Sequence, residues 1–139
     1  MMRVLIVDDD DGDVLIMQNC LHDNDNKIEV LRAYDGGDAL AILEAENEPP
    51  DLVLLDLNMP GVDGHAALKA IRQMPDQEMT PVVVFTTSSA RRDVILAYQN
   101  RANAFVQKPG NLGQFRESMR DIKAFWLRTA KTVSRSRYA

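Results

Sequence analysis

The sequence predicts an α/β protein built on one doubly wound, five-stranded parallel sheet, and three observations lead there. Short aliphatic and β-branched runs read as strands buried on both faces, stretches of helical apolar spacing separate them, and Gly or Pro marks the joints. The first strand covers residues 3–7, and the helix after it carries Val14, Leu15, Met17 and Leu21. A weaker strand at 28–33 leads to a helix with Ala39, Leu40, Ile42 and Leu43, and the strand at 51–55 to one with Ala67, Leu68 and Ile71. The strand at 81–85 precedes a helix with Val94, Ile95 and Tyr98, and a weak strand at 104–107 precedes the last helix. There Leu112, Phe115, Met119, Ile122 and Trp126 alternate steps of three and four. Strict alternation of five strands and five helices implies right-handed crossovers with helices on both faces. In such a sheet the ligand site lies at the C-terminal strand ends, where the strand order reverses.

The 139 residues suit one domain, and no repeat or linker divides them. With 45% hydrophobic and 27% charged residues the chain can build a core. A net charge of −5 argues against nucleic acid as the default partner. The lone Cys20 excludes an internal disulfide and a thiolate metal cluster, and suits a reducing cytoplasm. No apolar run approaches the roughly 18 residues of a membrane span, so no membrane association is expected. The charge is unevenly placed: residues 8–13 hold five Asp and no base, whereas the last twelve hold four bases and no acid.

The strand ends carry the chemistry. The first ends in Asp8-Asp9, the third in Asp56, the fourth in Thr86 and the fifth in Lys108. If the first and third strands are neighbours, Asp8, Asp9 and Asp56 converge, and three carboxylates that close demand a cation. Oxygen ligands without Cys or a suitably placed His specify a hard divalent ion, most plausibly Mg²⁺. Lys108 and the Thr86 hydroxyl beside it complete a phosphoryl site with Asp56 as the nucleophile. No GxxxxGK[ST] or GxGxxG loop is present, so the donor is expected to be another phosphorylated molecule rather than ATP.

These residues resemble the receiver domain of two-component response regulators. The matching pieces are Val4–Asp9, Asp56-Leu57-Asn58-Met59-Pro60-Gly61-Val62-Asp63-Gly64, Val83–Thr86 and Phe105-Val106-Gln107-Lys108-Pro109, four motifs in order over roughly residues 3–125. The resemblance implies the flavodoxin-like strand order 2-1-3-4-5 and makes Asp56 the phosphoacceptor. It implies that Asp9 and Asp56 hold Mg²⁺ directly, Asp8 acts at or through its water shell, and the Asn58 backbone carbonyl is a further ligand. It also implies that Lys108 pairs with the phosphoryl group, Thr86 closes on it, and Lys108–Pro109 is a cis peptide. The switch aromatic is Phe105, where many relatives have Tyr. Within the family the chain is similar to the cyanobacterial phytochrome response regulators, through the four-Asp run with Gly12-Asp13, the segment 98–106 and the late Phe125-Trp126-Leu127. That implies a phytochrome-like histidine kinase as partner and dimerisation through the end of the last helix.

Other residues have plainer readings. Asp10, Asp11 and Asp13 read as helix-start residues rather than metal ligands. Ser88 or Ser89 reads as a cap for the fourth helix, although Asn58 and Ser88 also sit two residues beyond Asp56 and Thr86, where they could steer an attacking water. His22 and His65 read as surface or helix-end residues, Cys20 as inert packing and the methionines as core filler. The stripe from Leu112 to Trp126 is about 22 Å long at 1.5 Å per residue, against about 17 Å for a five-residue strand. Phe125, Trp126 and Leu127 are therefore expected to project as a contact surface on an extended last helix.

The expectation is a receiver domain over residues 3–127 with a basic helix end and tail at 128–139, acting as a cytoplasmic single-domain response regulator without an attached output domain. It is not expected to be an enzyme beyond catalysing its own phosphoryl transfer and dephosphorylation. One rival is a Mg²⁺-dependent aspartyl-phosphate phosphatase, which wants an acid two residues after the nucleophile, where this chain has Asn58. The other is a phosphorylation-independent interaction domain, which would be expected to have lost a pocket residue.

Overall fold

The computed structural model describes residues 2–24, 27–59, 61 and 63–133. Pro60 and Val62 of the motif after the third strand lie outside them, as do residues 134–139 with Arg135 and Arg137. The strands are β1 (Met2–Val7), β2 (Ile28–Ala33), β3 (Leu52–Leu55), β4 (Val82–Thr86) and β5 (Ala104–Gln107), and the helices α1 (Asp11–His22), α2 (Gly36–Ala45), α3 (Gly64–Gln73), α4 (Arg91–Gln99) and α5 (Leu112–Ala124). The strands pair in parallel in the order β2-β1-β3-β4-β5, as the sequence predicts.

The continuous apolar runs reflect a sheet covered on both sides. Along β1, Val4 and Ile6 pack with Val14, Met17 and Leu21 of α1 and Phe115, Met119 and Ile122 of α5. Leu5 and Val7 face the other way, onto Ala39 and Leu43 of α2 and Leu68 and Ile71 of α3. At about 25 cal/mol per Å² of buried apolar surface, these two layers are the main favourable contribution to folding.

Several expectations change at the edges. Leu15, Ile95, Tyr98 and Leu112 face solvent. Ala97 is the one buried residue among the described positions of α4, so helical apolar spacing there marks an outward face rather than a core face. A short 3₁₀ turn at Pro75–Gln77, which the sequence reading omits, links α3 to β4. The last helix is extended, as expected, but α5 passes into a π-helical turn over Phe125–Thr129. That turn seats Leu127 in the α1–α5 core, with Trp126 half-buried against the same cluster. Phe125 is half-exposed and packs edge-on against the Trp126 ring, with centroids 5.1 Å apart. Of the three residues expected to project, the surface thus keeps Phe125 and part of Trp126.

Candidate functional site

β1 and β3 lie side by side with Val7 opposite Leu55, so the residues just past each strand must meet. The Asp56 N–H continues the ladder to the Val7 carbonyl at 2.9 Å, which fixes Asp56 beside Asp8. Oxygens of Asp8, Asp9 and Asp56 lie within 4.8 Å of one another, with Asp8 and Asp56 buried and Asp9 exposed. The start of α3 presses on the same strand end. A Cβ on Gly64 would stand 2.5 Å from the Asp56 carbonyl oxygen and the Leu57 Cα, so only glycine fits.

Lys108, at the end of β5, reaches into this cluster. Its ammonium lies 2.7 Å from Asp8, 2.8 Å from Asp13 and 3.5 Å from Asp56. Burial works against the lysine's charge, but hydrogen bonds to Asp13 and Asp8 outweigh it and hold Lys108 above the ordinary lysine range. Asp8 is nevertheless raised, because its burial outweighs the bonds it accepts from Lys108 and the Asp10 N–H, and Asp56 repels it. The two directions agree: Lys108 gains from three carboxylates, whereas each carboxylate receives a share of one cation. A raised Asp8 costs the fold stability as pH climbs above its unfolded value, and a divalent ion would offset that cost. Three hard oxygen donors with no soft ligand suit such an ion.

Asp10 caps α1 by accepting from the Asp13 N–H, and Asp11 pairs with Arg32 at 2.9 Å. Both fit the helix-start reading. Asp13 also lies in the first turn, and from there its carboxylate is in addition a Lys108 partner aimed at the cluster. An acid count exceeding what an ion and a cap require is the one sequence signal that could have found it. Asp9–Asp13, Asp56, Asn58, Thr87 and Lys108 line an open cleft of about 610 Å³. Thr86 is fully buried, and Thr87 lines the cleft in its place. The Asn58 side chain donates to both hydroxyls, at 3.3 and 3.1 Å, and the Asn58 N–H donates to Asp56 at 3.2 Å.

A family model for the response regulator receiver domain matches residues 4–120. The chain belongs to that family. The response regulator Rcp1 of Synechocystis sp. is 39% identical over 131 residues, which is 91% of this chain and 89% of that one. The crystal structure of the phosphorylated cyanobacterial phytochrome response regulator RcpA superposes with a TM-score of 0.90 at 34% identity, covering 94% of this chain and 97% of that one. The Mn²⁺-bound form of Rcp1 gives 0.88 at 37% identity, with 96% and 99% covered. This receiver domain is therefore a two-component signalling protein rather than a metabolic enzyme. It works with a histidine kinase and takes a divalent metal, as the family does. Among the described residues no helix is long and apolar enough to cross a membrane.

One feature of this receiver differs from the expectations of the resemblance, and a second adds to them. Lys108–Pro109 is trans, since no described peptide bond is cis. Trans is the lower-energy form of an X–Pro bond by about 0.5–1 kcal/mol, and Lys108 reaches Asp8 from it. Phe105 carries no hydroxyl of its own, but its backbone N–H donates to the Tyr98 hydroxyl of α4 at 3.1 Å. β5 is the sheet edge, so Tyr98 caps a donor that has no strand partner on that side.

Proposed function

We propose that Asp56 accepts a phosphoryl group from a kinase phosphohistidine in the presence of Mg²⁺. The observation that carries this reading is the convergence of Asp8, Asp9 and Asp56 at the sheet's switch point, with the Lys108 ammonium among them. Asp8, Asp9, Asp56 and the Asn58 carbonyl are the residues that would hold Mg²⁺, which supplies neutralisation of the phosphoryl oxygens when bound. An Asp56 oxygen attacks phosphorus, and the N–P bond breaks with its electron pair going to the imidazole nitrogen. Water later attacks phosphorus, the electron pair of the broken P–O bond returns to the Asp56 carboxylate, and inorganic phosphate leaves. The chain catalyses these steps on itself alone.

The new dianion draws Lys108 from Asp13 and Thr86 from Asn58, and Phe105 follows Thr86 inward. The signal is then a changed surface for a protein partner. The receiver unit is residues 3–127 and the basic tail 128–139. Similarity to RcpA supports a phytochrome-like kinase, and the lone Cys20 supports a cytoplasmic setting. The chain is expected to label with acetyl phosphate and Mg²⁺, to stay unlabelled with a chelator, and to carry the adduct on the peptide containing Asp56. A chain that does not label, or labels elsewhere, overturns the assignment.

The half-exposed Phe125, backed by Trp126 and the buried Leu127, supports a homodimer through the end of the last helix. Sedimentation is expected to give a dimer for the wild type and a monomer for Phe125→Asp. A wild type that stays monomeric with and without phosphorylation counts against the dimer.

A further inference from the structure

Beyond the pocket, three side chains form a hydrogen-bonded line that ends two residues after Thr86. His65, the second residue of α3, places Nε2 3.0 Å from Asp93 Oδ1 in the first turn of α4. The other Asp93 oxygen accepts from the Ser88 hydroxyl at 2.5 Å, and the Ser88 oxygen in turn accepts from the Ala90 N–H at 3.3 Å. The line is half-buried throughout. Nδ1 of His65 is buried with no partner among the described residues. A carboxylate only accepts, so Nε2 of His65 carries the proton of this bond and donates it to Asp93. Ser88 and then His65, by hydrogen bonding, hold the Asp93 carboxyl below the usual aspartate range, which keeps it a full acceptor.

The consequence concerns Ser88. A hydroxyl has one proton, and that proton is committed to Asp93. The Ser88 N–H, meanwhile, points at the Thr86 hydroxyl at 3.5 Å, so the residue stands beside the phosphoryl site while its side chain is turned away from it. Thr87, not Ser88, lines the cleft. Two sets of bonds therefore converge on residues 86–88: Asn58 holds Thr86 and Thr87, and α3 and α4 hold Ser88.

We propose that Asp93 and His65 are positioning residues that hold the Ser88 hydroxyl on α4, away from the water that hydrolyses the Asp56 phosphate, and so lengthen the phosphoryl lifetime. This rests on Asp56 being the phosphoacceptor. Once released, the Ser88 oxygen can turn to the cleft and accept a hydrogen bond from the attacking water. Orienting that water raises the rate at which its oxygen bonds to phosphorus and the Asp56 carboxylate leaves.

The test is decay of the phosphorylated full chain after removal of acetyl phosphate, with Mg²⁺ present. Asp93→Ala is expected to speed decay by about 2- to 10-fold, the worth of one hydrogen bond. The double variant Asp93→Ala/Ser88→Ala is expected to decay at the Ser88→Ala rate. His65→Leu is expected to speed decay, and His65→Gln, which keeps an N–H donor, to restore it toward wild type. The His65 pair serves if Asp93→Ala does not fold. Decay unchanged in Asp93→Ala and His65→Leu overturns the proposal, as do Asp93 and Ser88 effects that multiply independently. A wild type that does not label on Asp56 overturns the phosphoacceptor reading and this with it, whereas normal labelling with unchanged decay overturns this inference alone.

Discussion

Replacing Asp56 by asparagine is expected to bring labelling by acetyl phosphate down to background while leaving the fold intact. The amide keeps the size of the carboxylate but has no anionic oxygen to attack phosphorus. Asp56 also sits within 4.8 Å of Asp8 and Asp9, so the substitution removes one of three donors to a divalent ion. The thermal shift produced by Mg²⁺ should therefore shrink. For the wild type, an ion present at 100 times its dissociation constant stabilises the native state by about 2.7 kcal/mol. In the absence of metal the variant should unfold at or slightly above the wild-type temperature. It loses the 3.5 Å contact between Asp56 and Lys108, but it also loses the Asp56 charge that repels the raised Asp8. Calorimetry with and without Mg²⁺ checks both halves. Residual labelling near the wild-type level would show that another residue is the acceptor.

How far the sequence reaches depends on whether a side chain's role is set locally. β1 and β3 were legible because a strand covered on both faces must be apolar at every position, and their ends located Asp8, Asp9 and Asp56 without reference to other elements. Asp13 was not legible locally, since an acid in the first turn of a helix satisfies the dipole, and only the surplus of acids over residues 8–13 points to a further partner, a lysine 95 residues away. His65 was hidden in the same way, because its partner Asp93 comes from another helix and is itself held by Ser88. Apolar spacing in α4 resembles a core face, yet Ile95 is 42% exposed there. Periodicity reports that a stripe exists, not which side of the helix the sheet covers. The π-helical turn that buries Leu127 shifts the phase of the last helix by a single residue, and no residue type in Phe125–Thr129 announces it.

Arg72 carries the largest expected effect outside the cleft, and it too lacked a sequence signal. It is buried on α3 with no carboxylate partner among the described residues. Its guanidinium instead donates to the carbonyls of Gln77 at 2.8 Å, Thr80 at 2.7 Å and Arg101 at 3.0 Å, and to the Asn103 side chain at 2.8 Å. Burial first, and Arg101 second, pull its pKa below the ordinary arginine value. One side chain thus ties α3, the 3₁₀ turn, the approach to β4 and the loop before β5, where Arg101 has a positive φ of 68°. Exchanging a buried charge for an apolar group of similar volume can be neutral when its partners are exchanged as well. Here three of the partners are backbone carbonyls, which no substitution removes. Arg72→Met should leave the Thr80 and Arg101 carbonyls without this donor at about 1–3 kcal/mol each before water enters, while the Gln77 carbonyl keeps only its 3.4 Å bond from the Thr80 N–H, for a net loss of about 3–5 kcal/mol. That corresponds to a Tm lower by about 10–20 °C for a domain of this size. Arg72→Lys, with three donors on one nitrogen, should recover only part of the loss. Because these carbonyls lie at the opposite end of β4 from Thr86, the folded fraction of either variant should still label on Asp56 below its own Tm. Denaturant melts of both variants against the wild type measure the effect. An Arg72→Met midpoint within about 1 kcal/mol of wild type would mean that water satisfies these carbonyls as well as the guanidinium does.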